Sequence, residues 1–234
     1  TDRGTALHRV LERFIAQSLN HAVLSDFDRA KAALLQMADE VLTTEVPWPS
    51  AQRIWRAKVT KFADWFIQGE MIRRKSRTPE LLEARGSWPI TTLDFTLTGS
   101  ADRVDRDQNG ALWIYDYKAG SAPSDKQEKN FKKQLWLEAL MACDGAFTQK
   151  PETVAGHGYL ALGKQEDTSI AITATELDQM RESFFKLIRE YQNEQKGYIS
   201  RRAVSDLNFE GDYDHLARYG EWDDTDTAEG EAVG

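Results

Sequence analysis

The hydrophobic periodicity of this chain changes once, near Pro79, and that change constrains the fold more than any other feature. Before it, apolar residues recur with the 3.6-residue spacing of helices that bury one face. Leu7, Val10, Leu11 and Phe14 predict a first helix, with Thr5 as its cap. A second helix is predicted over about 26–42, ending before Pro47-Trp48-Pro49. A third, over about 50–75, turns Ile54, Trp55, Phe62, Trp65 and Phe66 inward. After Pro79 the period shortens to two. Residues 81–88, 91–98, 101–106 and 112–118 read as strands, with turn signals at Trp88-Pro89, Thr98-Gly99 and Asn109-Gly110. A helix over about 126–143, a strand over 156–162 and a long helix over 174–194 follow. The order predicts an α/β (α+β) fold: a central mixed sheet flanked by helices, with an N-terminal helical elaboration.

Charge is unevenly spread. The formal net charge is −8, but from Asp206 onward ten acidic residues accompany one basic residue. Taking these from the totals of 38 acidic and 30 basic leaves 28 and 29, a body of +1. Within it, 53–85 carries nine basic and four acidic residues, and 118–133 carries five and two. Such stretches on a near-neutral body suit a phosphate-tracking groove. For any single Lys or Arg, a solvated helix face explains the charge equally well. Residues 223–234, acidic and without aromatics, are expected to form a flexible tail.

The lone cysteine, Cys143, excludes a disulfide framework and a multi-cysteine zinc or iron–sulfur site within this chain. Its apolar neighbours make it a core residue. No apolar run approaches the length of a membrane span, and no signal peptide is recognisable, so the expected compartment is a reducing cytoplasm. The chain opens on Thr1 and turns helical almost at once. It is therefore expected to be a domain of a longer protein.

The chemistry is concentrated between Gly99 and Gly120. Asp102 falls on one predicted strand, Asp116 and Lys118 on the next. Alternation puts Asp116 and Lys118 on one face behind Leu112 and Ile114, with Tyr117 opposite. A carboxylate and an ammonium at the end of an apolar row are costly unless paired or used. Two carboxylates that converge there would offer hard oxygen ligands to Mg²⁺, with the Lys serving an attacking water. An Asp116–Lys118 or Asp102–Lys118 ion pair at a strand end accounts for the same spacing.

Gly99-Ser100-Ala101-Asp102-Arg103-Val104-Asp105 followed by Ile114-Tyr115-Asp116-Tyr117-Lys118-Ala119-Gly120 closely resembles the core of RecB-like nucleases of the PD-(D/E)XK superfamily. Gly4-Thr5-Ala6-Leu7-His8, with Leu11-Glu12, resembles that family's N-terminal helix, which carries a metal-binding His. Gln134-Leu135-Trp136-Leu137-Glu138-Ala139 resembles its Gln motif. More narrowly, Gly211-Asp212-Tyr213-Asp214-His215-Leu216-Ala217-Arg218 with Gly220-Glu221-Trp222 resembles the C-terminal end of AddB-type helicase–nuclease subunits.

The resemblance implies a restriction-endonuclease-like core and a metal-dependent DNA exonuclease working in double-strand-break repair. The nuclease domain would cover 1–222, with a helical part over 1–78, a catalytic core over 79–200 and an extension over 201–222. Asp102 and Asp116 would be ligands to Mg²⁺ or Mn²⁺, with the Tyr117 carbonyl as a third oxygen and His8 completing the site. Lys118 would serve the water, and Gln134 would position the strand or contact DNA. The implied partners are DNA, an AddA-type helicase–nuclease subunit and the rest of a longer chain, with no membrane. Composition alone reads His8 as a partly buried helical His and Gln134 as a helix-face amide.

This chain departs from the family's pattern twice. Glu138 stands where the family often has Tyr, and the four cysteines of related iron–sulfur nucleases are missing, so no such cluster is expected here. Glu83 opens the first strand, where related nucleases often carry a helpful acid, although the residue itself reads as a surface Glu. His21, His157 and His215 are expected to be structural. A non-catalytic DNA-binding module or a protein-interaction domain of the same fold is the rival function.

For Asp102 and Asp116 to share an ion, facing residues of their hairpin must sum to 218. A two-residue Asn109-Gly110 turn gives 219 and flips every side chain. The mechanism therefore predicts a three-residue connection, Gln108-Asn109-Gly110, with Gly110 left-handed, or a longer loop over 107–111.

Overall fold

Three helices lead the chain: α1 (Arg3–Ser18), α2 (Phe27–Glu45) and α3 (Pro49–Arg73). Asp26 caps α2 by accepting the backbone N–H of Arg29 at 2.9 Å. Pro49 opens α3, where its missing N–H has no helical partner to lose. α1 is already helical at Arg3, so Thr5 lies in its first turn and does not cap it. Leu7, Leu11 and Phe14 of α1, Leu34 and Ala38 of α2, and Phe62 and Phe66 of α3 are buried in one cluster. Trp55 and Trp65 are half-buried, but Ile54 is exposed. It lies five residues before buried Val59, about 140° around a helix of 3.6 residues per turn. The computed structural model describes residues 3–20, 22–130 and 132–196. The expected extension over 201–222, the tail over 223–234, His21 and His215 lie outside them.

The sheet has six strands: β1 (Arg77–Ile90), β2 (Phe95–Asp107), β3 (Leu112–Lys118), β4 (Val154–Ala161), β5 (Glu166–Asp167) and β6 (Ile170–Ala171). β1, β2 and β3 form an antiparallel meander, and β4 runs parallel to β3. The short β5 and β6 both pair antiparallel with β4. The crossover from β3 to β4 carries α4 (Asp125–Asn130) and α5 (Gln134–Cys143), and α6 (Ala174–Gln192) follows a Thr173–Glu176 capping box. The first three helices cover one face together with Tyr115 and Tyr117. α5 and α6 cover the other with Val104, Leu112, Ile114 and Tyr159. This is the mixed sheet flanked by helices, with its N-terminal helical elaboration, that the periodicity predicts. No described helix is long and apolar enough to cross a membrane.

Three expectations are corrected. The strands predicted over 81–88, 91–98 and 101–106 are two long ones, and the chain reverses at Thr91–Leu93, not at Thr98-Gly99. Gly99 faces Gly86 in mid-ladder. A Cβ on Gly86 would lie 2.6 Å from the Phe147 ring, and one on Gly99 would lie 3.3 Å from Met141 Sδ. These glycines therefore admit α5 and the loop after it to the sheet; they do not mark a turn. The helix predicted over 126–143 is two helices, because α4 (DKQEKN) has no buried residue while α5 is apolar enough to pack. The helical part ends at Arg73 and β1 begins at Arg77, slightly before the expected 78/79 boundary.

The hairpin register is the one the metal argument requires. Arg103 faces Tyr115, Val104 faces Ile114 and Arg106 faces Leu112. Asp107 N–H donates to the Ala111 carbonyl at 2.9 Å and Gly110 N–H to the Asp107 carbonyl at 3.0 Å, with Gly110 at φ 83°. This is the three-residue connection Gln108-Asn109-Gly110.

A buried ionic cluster fastens α3 to the sheet. Arg103, wholly buried, donates two hydrogen bonds to Glu70 (2.7 and 3.0 Å) and two to Asp105 (2.6 and 2.7 Å). Glu70, also wholly buried, further accepts from Arg74 Nε at 2.6 Å. Burial alone would raise the Glu70 pKa, but Arg103, Arg73 and Arg74 hold it well below the usual carboxylate range.

Candidate active site

The β2–β3 ladder ends at the Arg103–Tyr115 pair. Beyond it, Asp102 Oδ2 accepts the backbone N–H of Tyr117 at 2.9 Å, so a side chain stands where the next ladder carbonyl would be. At this fork α1 delivers His8. Its Nε2 donates to the Tyr117 carbonyl at 2.7 Å, and its Nδ1 lies 3.4 Å from Asp102 Oδ2 and 4.0 Å from Glu83 Oε1. An imidazole anchored through one nitrogen to a backbone carbonyl presents the other as a metal donor. The Tyr117 carbonyl, implied by the resemblance as an ion ligand, here holds His8.

Glu83 sits opposite Asp102, between the Leu82–Arg103 and Ala84–Ala101 pairs. Its φ of 47° is left-handed. That conformation costs a residue with a Cβ about 1–2 kcal/mol. The strained backbone brings an acid that reads as a surface residue in the sequence to the centre. One donor atom each from His8, Glu83 and Asp102 lies within 4.8 Å of the other two. An open cleft of about 380 Å³, lined by Gly4, Thr5, His8, Arg9, Glu12 and Glu83, leads to them.

Asp116 is outside that triad and almost fully buried. Lys118 Nζ lies 3.0 Å from its Oδ1 and 2.8 Å from its Oδ2, and Gln134 Nε2 donates to Oδ1 at 2.7 Å. Gln134 also donates to Glu138 Oε1 at 3.0 Å and accepts from Lys118 Nζ at 3.4 Å. A single amide thus ties Asp116, Lys118 and Glu138 together. The structure brings Asp102, Asp116, Lys118, Gln134, His8 and Tyr117 to one end of β3. It adds Glu83 and Glu138, whose positions the sequence marked without assigning them roles.

The electrostatics reflect crowded carboxylates in partial burial. Burial alone would lower the His8 pKa, but its contact with Asp102, then the Tyr117 carbonyl and Asp116, raise it to about 9. Burial and the Asp102 charge push Asp116 up, against the pull of Lys118. Glu138 is pushed up to about 8 by burial, with Asp116 and Asp102 adding to it and the Gln134 hydrogen bond opposing. The donor set fits a divalent cation. It combines carboxylates with an imidazole, and Asp116 Oδ2 is a buried oxygen without a well-aligned hydrogen bond.

A pH-dependent stability follows from Glu138. Folded Glu138 keeps its proton up to about pH 8, whereas an unfolded Glu releases it near 4.5. Stability therefore falls as pH rises across that window. Glu138→Gln has no such proton to release. In EDTA it should melt with the wild type at pH 4.5 and about 4 °C or more above it at pH 8.5. Equal melting temperatures at both pH values would mean that Glu138 ionises freely in the fold.

The fork, the Asp-x-Lys strand and the flanking His and Gln helices define a nuclease of the PD-(D/E)XK type. A family model for the PD-(D/E)XK nuclease superfamily matches residues 1–202, and the chain belongs to that superfamily. Among curated relatives, an uncharacterized protein of Rickettsia typhi is 28% identical over 153 residues, covering 64% of this chain and 18% of its own length. One of Rickettsia conorii is 26% identical over 152 residues, with the same coverages. One of Rickettsia bellii is 25% identical over 237 residues, covering 92% of this chain and 28% of its own length. The chain thus spans between 18% and 28% of these relatives.

Proposed function

We propose that this chain is a metal-dependent DNA exonuclease domain of the RecB-like kind, working within a larger, AddB-type helicase–nuclease in double-strand-break repair. The observation that carries the reading is the gathering of His8, Glu83 and Asp102 beside Asp116 and Lys118 at the β2–β3 fork. His8, Asp102 and Glu83 would hold Mg²⁺ or Mn²⁺, with Asp116 adjoining. Such an ion polarises a phosphoryl oxygen and lowers the pKa of its water. The imidazole makes Mn²⁺ at least as suitable as Mg²⁺.

The chain's own groups have distinct tasks in this reading. Lys118, held by Asp116 and Gln134, orients the attacking water and meets the charge that develops on the phosphoryl group. Glu138, neutral below about pH 8, spares the site a further negative charge where an anionic substrate must approach. The small share of its relatives that the chain covers supports a role as one part of a larger machine.

Labelled single- and double-stranded DNA incubated with Mg²⁺, Mn²⁺ or EDTA tests the function. Cleavage is expected with either metal and none with EDTA. DNA binding without cleavage under every condition would favour a non-catalytic module. Lys118→Ala should lower kcat by roughly a hundredfold or more while changing DNA affinity little, because the ammonium acts where charge develops. Equal losses of binding and cleavage would make it a phosphate anchor.

A further inference from the structure

We propose that the excursion between β3 and α5, residues 119–133 including α4, is an arm that holds the phosphate backbone of a nucleic-acid strand beside the catalytic centre. The inference rests on the nuclease reading, and its first support is topological. The excursion leaves from Lys118 and returns at Gln134, whose side chains meet at 3.4 Å in the centre itself. Whatever the arm carries is therefore tethered at both ends to the site.

The arm carries Lys126, Lys129, Lys132 and Lys133 against Asp125 and Glu128. Among the described residues, none of the four lysines forms an ion pair with an acid. The cations at the centre are committed elsewhere: Lys118 to Asp116, Arg9 to Glu12, and Arg103 to Glu70 and Asp105. Lys126, Lys129 and Lys132 are exposed and Lys133 is half-buried. Partial burial lowers the Lys133 pKa and the like charge of Lys129 lowers it further, against the pull of Glu128, a strain that an anion would relieve.

Ala119 and Ala122, at the start of the arm, pack against the two cores, but packing gives no such reason for α4. α4 has no buried residue, so its helix brings nothing to the core. Its inward side chain is Glu128, whose Oε1 lies 4.0 Å from Nε2 of buried His157. A polar helix with no buried residue, turned outward with ammonium groups that meet no acid at ion-pair distance, suits a polyanion. Lysines on flexible stems hold phosphates as point charges and read no sequence. That matches a centre that must accept whatever strand is fed to it.

The test uses the full chain and a fluorescently labelled single-stranded 20-mer DNA, titrated in EDTA so that binding is read without cleavage. Replacing all four lysines by Gln should weaken binding roughly tenfold or more at low salt. The slope of log affinity against log salt should fall by about 2–3, near 0.7 per lost phosphate contact. Replacing all four by Arg should restore both. An unchanged slope in the Gln variant overturns the proposal, as does an Arg variant that loses binding as fully. Failure of the nuclease reading is recognised separately. In that case the wild-type chain cuts no DNA with Mg²⁺ or Mn²⁺, while the salt-slope difference between wild type and variant persists.

Discussion

Asp116→Ala should abolish metal-dependent DNA cleavage and leave a folded protein. The catalytic loss is set by what a correctly held ion contributes, several kcal/mol of transition-state charge stabilisation. At 1.36 kcal/mol per tenfold in rate, that is a fall of about a thousandfold or more. The retained fold follows from the environment of Asp116. It is buried beside Asp102, and both facts disfavour its charge. Removing it relieves repulsion, while Lys118 is exposed enough to find water. Cleavage rates with Mn²⁺, calorimetric Mn²⁺ titration and a thermal melt check the three parts together. A variant that cuts at the wild-type rate removes Asp116 from the mechanism. A variant that fails to fold moves it to the structural side.

Glu70→Ala should have the largest effect on stability of any single substitution considered. Glu70 and Arg103 are both wholly buried, and their hydrogen bonds join α3 to β2. Taking away one partner of a buried ion pair costs about 3–5 kcal/mol, because the other charge is left in a medium that cannot solvate it. For a chain of this size that is a loss of roughly 10 °C in melting temperature. Asp105 still faces Arg103, which argues for the lower end of the range. The sign with pH is defined. Glu70 is held well below its ordinary pKa, so its stabilisation is present above about pH 4.5 and fades as the solution becomes more acid. The gap between variant and wild type should therefore narrow toward pH 3. Chemical denaturation at pH 7 and pH 3 measures both statements, and a melt within 2 °C of wild type at pH 7 would contradict them.

Much of the site is legible in the sequence because strands alternate. Leu112 and Ile114 point into one core and Tyr115 and Tyr117 into the other, so Asp116 had to emerge beside the first pair. The register of the Asp107–Ala111 connection followed from the same parity. Glu83 was hidden because its placement depends on a left-handed backbone inside a strand, which nothing in its side chain announces. Glu70 was hidden because a charged residue on an amphipathic helix reads as solvated until a buried Arg is found opposite it. Thr98-Gly99 misled because a glycine admitted for close packing looks the same in a sequence as one needed for a turn. The break between α4 and α5 was missed for a related reason. Lysine and glutamate suit a helix well enough that propensity alone does not show where packing stops.

The hydrogen bond from His8 to the Tyr117 carbonyl joins residues 109 positions apart, and the neighbouring centre also draws on β1, β2 and α5. The site residues are spread from His8 to Glu138, over more than half of the chain. During synthesis, or after partial unfolding, a segment that holds the Asp-x-Lys strand lacks the imidazole and the Glu83 carboxylate until α1 and β1 have docked. The geometry of the site therefore depends on α1, β1, β2, β3 and α5 having come together.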